Sequence, residues 1–516
     1  MTAESRSRSV AGGGMPTGSD ALFVFDAGGG APPLLLRRAA RVPGKWACLG
    51  LLAVLALSGV GCSSDAPGPD GDGNASGGGS AAGGGNAGEL IEVPDPLSED
   101  NPRYPLARVS VPAAGEAVTD GAFGTAQRRV VQTVGLRHEY SRHDPFNADG
   151  SLVLLLLVAE GQWRVYRTAS VPYDQAGNLV RTLSLEEPRW DPVDPRVIWG
   201  LEGFRVVTVD VESGQSGLIK DFARDATIGP ILAANPDLYR ITMKDEGESS
   251  ADKRYWAFLL QGSNDDYRVR YLFTWDRQED RVIGLRALSA DESSIDWVGM
   301  SPSGRWVLIG GDWNNGGDLA GLTMANRELT EFHRLDYATG HADVGVDSAG
   351  NEVVVMQNVR TDYIDMIPLD SSTQPILEPG GSYAGTGRVP LIRLFYDSSS
   401  PLGLNSGVHI SCNVPGYCVV STHLGAGMPE QNWLDRTIVL VRLDGERPRA
   451  WYLAKVHGTT EAYWEETHAS MARDGSRLVW ATNWGQDVGQ ERVWLMELEM
   501  PGGWMAALAS VPGAGP

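Results

Sequence analysis

Residues 466–484 read ETHASMARDGSRLVWATNW, and this stretch decides the fold. It opens on His468, reaches a tight turn at Asp474-Gly475, and continues as a β-prone run through Thr482. Asp-Gly between two such runs is a hairpin signal, because glycine takes the positive φ that a two-residue turn demands. The phrase recurs as HDPFNADGSLVLLLLV from His143, DWVGMSPSGRWVLIGG from Asp296, HADVGVDSAGNEVVVM from His341 and HISCNVPGYCVVSTH from His409. A hairpin phrase repeated along the chain is the mark of a repeat architecture.

Working outward, apolar runs from Tyr104 onward are short, rich in Val, Ile, Trp and Tyr, and separated by Gly, Asp, Asn and Pro. This reads as all-β, with units of roughly 45 to 60 residues, the spacing of four-stranded propeller blades. Blades are expected at about 138–185, then from near Glu187, residue 247, Ile295, Gly340, Val408 and Thr467, seven in all. Residues 226–243 fit this scheme least well and read as an added strand pair. YPLARVSVP (104–112) is expected to complete the last blade and close the ring, with the tail WMAALASV competing for that place.

Before the body, Arg37, Arg38, Arg41 and Lys45 precede an apolar run from Trp46 to Val60 that ends in Gly61-Cys62. A basic region, a short apolar region and small residues at its end make an export signal over residues 1–61. The ending SGVGC resembles a bacterial lipoprotein signal, which implies lipidation of Cys62; Gly59 departs from that pattern, where Leu, Val or Ile is usual. Ser63 after the cysteine implies sorting to the outer membrane. Residues 1–36 form an over-long preamble, as from a start codon placed too far upstream. Residues 62–98 are dominated by a Gly/Ser/Ala-rich tether spanning roughly 30 Å as a random coil. The propeller is expected over 99–505 and a tail over 506–516.

The phrases YSRHDPFNADGSLVLL, DWVGMSPSGRWVL and HASMARDGSRLVWATNW resemble exported TolB-like and WD-repeat-like β-propellers of bacteria, over most of residues 104–505. A looser resemblance is to propeller-fold polysaccharide lyases, which implies histidines at the mouth of the central channel and a bound metal.

Formal net charge is -22, and the basic export signal leaves the body more acidic still. Such a surface repels polyanions, so nucleic acid is excluded as a partner. P-loop, HExxH and GxSxG motifs are absent from the sequence, no GxGxxG stands between a strand and a helix, the glycine runs near 77–85 being tether, and the Asp-rich segments lack calcium-loop spacing.

The histidines share a register. Seven residues before the turn glycine stand His143, His409 and His468; the same count gives Asp343 in the fifth unit, with His341 on the same strand face, and Trp297 in the fourth. These positions are expected to converge at one mouth of the channel as a metal site of His143, His341, His409 and His468, for zinc, manganese or calcium, with Asp343 or Glu466 supplying oxygen. The returning strands bring His423, Asn483-Trp484, Gln357-Asn358 and Asp312-Trp313 to the same rim, and Tyr140 and Arg142 flank His143. His138, His333 and His457 fall out of register and read as structural or surface residues. Cys412 and Cys418 flank the turn NVPGY, which favours a cross-strand disulfide in an exported chain; the alternative is zinc held with His409 and His423.

Two functions follow. One is a monomeric, lipid-anchored envelope propeller binding a glycan, peptide or protein at its His-rich mouth. The alternative is a metal-assisted lyase acting on uronate glycans by β-elimination. There His468 or His143 serves as base, Tyr140 as acid, and Arg142, Arg360 or a metal as neutraliser of the substrate carboxylate.

Overall fold

A computed structural model describes residues 90–264, 267–290, 292, 295–311, 319–337, 339–358, 361–378, 384–395, 406–445, 448–486 and 492–509. The export signal, Cys62, most of the tether, Asp312, Trp313, Arg360 and residues 510–516 lie outside them. Seven antiparallel sheets follow one another along the chain, and each runs outward from an inner strand. Their inner strands are Leu136–Arg137, Glu186–Trp190, Leu238–Thr242, Ile295–Met300, Thr339–Val346, Ser406–Val414 and Ser470–Met471. The molecule is a seven-bladed β-propeller. Its buried apolar residues fall into seven clusters, each shared by two neighbouring blades, including one between blades seven and one. The ring is therefore closed by packing as well as by pairing.

The repeated turns hold the geometry that the phrases imply. Gly150, Gly304, Gly350, Gly416 and Gly475 have φ of 69°, 72°, 88°, 83° and 68°, a region that side chains with a Cβ seldom enter. Between these turns the strands alternate or run wholly apolar, as in Leu152–Leu157, because the blades are buried on both faces by their neighbours.

Three expectations are corrected. Residues 104–112 form no strand; the ring closes through Ala126–Arg129, which pairs with Trp494–Glu499, and Ala117–Thr119 lies outside it. Pro105 and Pro112 lack the N–H that a ladder needs, and Tyr104 instead packs on Phe123 and Tyr452. The tail is a short helix, Trp504–Ala509, pinned by the Trp504 indole donating to the Gly475 carbonyl at 2.8 Å. Residues 226–243 are a helix, Ile228–Ala234, followed by the inner strand of blade three, which thus begins before residue 247. The segment after that strand crosses to blade four, where Met300 N donates to Glu248 O at 2.7 Å.

Blade one is the irregular one. Leu136 faces Leu157 and Phe146 faces Val153, so ten positions on the inner strand span four on its partner. Residues 138–145 bulge out of the ladder toward the channel, carrying His138, Tyr140, Arg142 and His143. Cys412 and Cys418 form a disulfide with Cα atoms 4.2 Å apart, so neither sulfur is a thiolate ligand.

Candidate metal centre at the channel mouth

His409 stands at the centre of an imidazole cluster. Its ring centroid lies 3.9 Å from His468, 4.3 Å from His341 and 5.3 Å from His423. Tyr140 leans in from the blade-one bulge, 4.9 Å from His468, 5.5 Å from His409 and 6.4 Å from His341. The local backbone makes this convergence. Blade seven is drawn to blade six where Ala469 N and Met471 N donate to the Ser421 and Ser411 hydroxyls at 3.1 and 3.2 Å. His468 itself has φ of 45°, a strained backbone that aims its ring inward. His423 fits because residue 407 is glycine: a Cβ there would fall 1.7 Å from the His423 Nε2.

Glu466 is the anion these rings surround. Its Oε2 accepts from His409 Nε2 at 2.7 Å and from His468 Nε2 at 3.2 Å, with His423 Nδ1 at 3.9 Å. Ligand atoms of His409, His423 and Glu466 all lie within 4.8 Å of one another, the spacing of a group that could close on one cation. Among the described residues, Nδ1 of His341, His409 and His423 are buried without a hydrogen-bond partner. Burial pushes the histidines down: His341 to about 3, His423 to about 4, and His409 well below the usual range. Neutral imidazoles with an unused lone pair, beside a carboxylate, are the donor set of a borderline divalent ion such as zinc or manganese. The residues present fit that group.

His143 is placed differently. Its Nδ1 lies 3.1 Å from Glu248 Oε1, and its Nε2 receives the Arg189 guanidinium at 2.7 Å. The Asp245 carbonyl, which only accepts, lies 2.8 Å from the same Nε2, so that nitrogen faces a donor and an acceptor together. Both nitrogens are spent, and the ring turns toward blades two and three. Arg142 lies beside it with its guanidinium 4.1 Å from the Trp297 ring centroid and 3.1 Å from the Glu246 carboxylate. Its Nε and the Tyr140 hydroxyl are both buried without a partner among the described residues. Residues 244–248 bring Asp245, Glu246 and Glu248 into this region on a backbone with φ of 63° and 64° at Lys244 and Asp245.

Burial raises Glu246 and Glu139 to about 8 against the pull of Arg142 and Arg189, and raises Asp343 to about 7. Burial would also raise Glu248, but Lys253, His143 and Arg473 outweigh it and hold that carboxyl well below its usual range. The Tyr140 phenol is pushed well above 10 by burial and stays protonated.

These shifts have a sign for stability. The seven histidines His138, His143, His341, His409, His423, His457 and His468 are all depressed, chiefly by burial. Each contributes stability that is present above its unfolded value and lost as pH falls toward its folded one, because the unfolded chain takes up protons that the native state refuses. The raised carboxyls Glu139, Asp144, Glu187, Glu246, Asp343, Asp365 and Glu497 act oppositely: their contribution is present at low pH and lost as pH rises from the unfolded carboxyl range toward their folded values. The two sets are equal in number and oppose each other between about pH 6.5 and 5. Below about pH 4.5 the unfolded carboxyls take up protons too, so that opposition levels off while the buried histidines still refuse protons. Unfolding free energy is therefore expected to fall by at least about 1 kcal/mol per pH unit there. Guanidinium melts between about pH 4.5 and 3.5 check this, and a flat or rising profile would contradict it.

Sequence register brought out His341, His409 and His468, and placed His423 and Glu466 near them. It missed His138, which is buried with Nε2 bonded to the His468 carbonyl and Nδ1 unpartnered, and Arg137, which is spent entirely on this site. The doublet Arg137-His138 ahead of Tyr140 was the available signal. His333 is occupied by the Gln374 carbonyl and Glu331, and His457 stacks on Trp484 at 4.3 Å; neither reaches the cluster. A separate pocket lies at the turn end of blades one, two and seven, lined by Asp144, Phe146, Trp190, Arg473 and Arg477 among others.

No family model matches the chain, and no curated protein matches it. Among solved structures, it is similar to an oligogalacturonate lyase in complex with manganese, at 12% identity and a TM-score of 0.49, covering 76% of this chain and 97% of that one. It is similar to the oligogalacturonate lyase of Vibrio parahaemolyticus at 10% identity and a TM-score of 0.49, over 77% and 100% of the two chains. The WD40 repeats of RRP9 are similar at 11% identity and a TM-score of 0.39, over 75% and 100%. The seven-bladed fold rests on the strand order rather than on these likenesses, none of which reaches 0.5 in TM-score.

Proposed function

We propose that the channel mouth binds a divalent cation through His409, His423 and Glu466, and with it the carboxylate of an acidic glycan. The observation that carries this reading is that, among the described residues, the buried Nδ1 atoms of His341, His409 and His423 have no partner in the cluster that holds Glu466, because a buried polar atom without a partner is costly unless a ligand uses it. A bound cation would act as a Lewis acid on an oxygen of the glycan. Arg142, held on the Trp297 face with a free Nε–H, offers a second positive group for the same carboxylate.

A specific observation favours chemistry as well as binding. β-Elimination from a uronate needs a neutral base for the proton beside the carboxylate and an acid for the departing oxygen. His341 is neutral with an unpartnered Nδ1, and the protonated Tyr140 hydroxyl, also unpartnered, lies across the cluster from it. His341 would take the proton, Tyr140 would give one to the leaving oxygen, and Arg142 would hold the carboxylate. Of the bases that register suggests, His468 has one nitrogen receiving an arginine N–H and a proton on the other, and His143 has both nitrogens engaged by Arg189, Asp245 and Glu248. Neither spares a lone pair.

The test is metal analysis of the purified body after dialysis, followed by uronate oligosaccharides with and without the metal, read by ultraviolet absorbance of the unsaturated product. Metal with absorbance growth supports the lyase. Metal-dependent binding without it supports the binding module alone. Neither metal nor glycan binding would sink both readings. For its setting we keep the sequence-based proposal of an envelope lipoprotein anchored at Cys62. Fatty-acid labelling lost in Cys62→Ser is the expected result, and labelling that survives would refute it.

A further inference from the structure

Arg137 sits on the inner strand of blade one, fully buried, and each of its nitrogens is engaged. Nε donates to the His138 carbonyl at 2.9 Å, and Nη1 donates to the Trp464 and Glu466 carbonyls at 2.6 and 3.2 Å. Nη2 lies 2.6 Å from His468 Nδ1. A guanidinium has no acceptor, so the His468 Nδ1 must present its lone pair. An imidazolium has no lone pair to present, which excludes the charged ring. The single ring proton therefore sits on Nε2, which faces Glu466 Oε2 at 3.2 Å.

We propose that Arg137 is a positioning residue: it locks His468 as the Nε2–H tautomer, so that His468 holds Glu466 by a hydrogen bond and stays out of the cation's ligand set. The part about the cation rests on the metal reading above; the tautomer does not. For Nε2 to ligate, the ring would have to give up its only proton while Arg137 still donated to Nδ1, leaving an imidazolate. For Nδ1 to ligate, it would have to displace a guanidinium tied to three backbone carbonyls and lying 5.5 Å from the Trp464 ring centroid. His341, His409 and His423 stand in contrast, each with an unpartnered Nδ1. His468 is thus the outer partner that orients a carboxylate ligand, an arrangement whose loss typically weakens metal binding 10- to 100-fold.

The experiment has two arms on the full body. In the metal-free protein labelled with nitrogen-15 histidine, long-range proton–nitrogen spectra, assigned with His468→Gln, should show His468 protonated at Nε2 only. A proton on Nδ1, or on both nitrogens, overturns the proposal whether or not any metal binds. In the second arm manganese and zinc affinities are measured for His468→Gln and His468→Ala. Glutamine can accept from Arg137 and donate to Glu466, so it should lose no more than about 10-fold, whereas alanine should lose 10- to 100-fold. Equal losses beyond 100-fold in both would make His468 a ligand and overturn the proposal. If the wild-type protein takes up no metal, the metal reading fails, and the tautomer arm alone decides the role of Arg137.

Discussion

His409→Ala is expected to cost at least about 100-fold in affinity for zinc or manganese, more than the loss of an outer hydrogen bond would. His409 is the ring that touches every other member of the cluster: His341, His423, His468, Tyr140 and the Glu466 carboxylate. Its loss removes a donor and also the bond that holds Glu466 in place. Gly407→Ala is the companion test, since the three nearest atoms its Cβ would meet all belong to the His423 ring, which it would drive from its seat. Both variants should keep the far-ultraviolet spectrum of the folded propeller. Plasma mass spectrometry after dialysis, with competition titrations, reads the result; near-stoichiometric metal in His409→Ala would remove this residue from the centre.

The largest loss of stability is expected at the ring closure, in Asp120→Ala. Asp120 is buried at the tip of the hairpin that brings Ala126–Arg129 onto blade seven, and its carboxylate accepts four hydrogen bonds. Two come from Ala122 N and Phe123 N at 2.8 and 3.1 Å, one from the Gln127 amide at 2.9 Å and one from Lys455 N on blade six at 2.7 Å. The first pair shapes the turn, the Gln127 bond closes the hairpin on itself, and the Lys455 bond ties blade seven to blade six. Alanine leaves buried donors without partners, for an expected loss of about 3–5 kcal/mol. Asp120→Asn should lose less, because its carbonyl oxygen can still accept from the turn amides. Denaturant melts decide this, and a loss under about 1 kcal/mol would mean that packing of Phe123 and Tyr452 closes the ring unaided.

How much was legible varied with how local the information is. The turn glycines at 150, 304, 350, 416 and 475 need positive φ whatever surrounds them, so the blades could be counted from the chain. Register carried His409 and His468 correctly into contact because the strands leading to their turns bring neighbouring blades together at that level. It could not carry His143 there. The bulge over residues 138–145 breaks the proportion between distance along the chain and distance along the channel, and turns His143 toward Arg189 and Glu248. Ring closure was misplaced for a related reason: 104–112 has a strand-like pattern, but its prolines and the pull of Tyr104 toward Phe123 and Tyr452 leave the pairing to the less conspicuous AQRR.

By itself the sequence determined a repeat of four-stranded units, a turn glycine in five of them, and an acidic body with histidines gathered near one level. Those features depend on backbone conformation and composition, which neighbours along the chain dictate. Only the tertiary structure decided which nitrogen on which histidine is free. That depends on partners far away in the chain: Arg137 for His468, Arg189 for His143, and, among the described residues, no partner for Nδ1 of His341, His409 and His423. A lone pair is committed by whatever donor reaches it in space, and no periodicity along the chain encodes that contact.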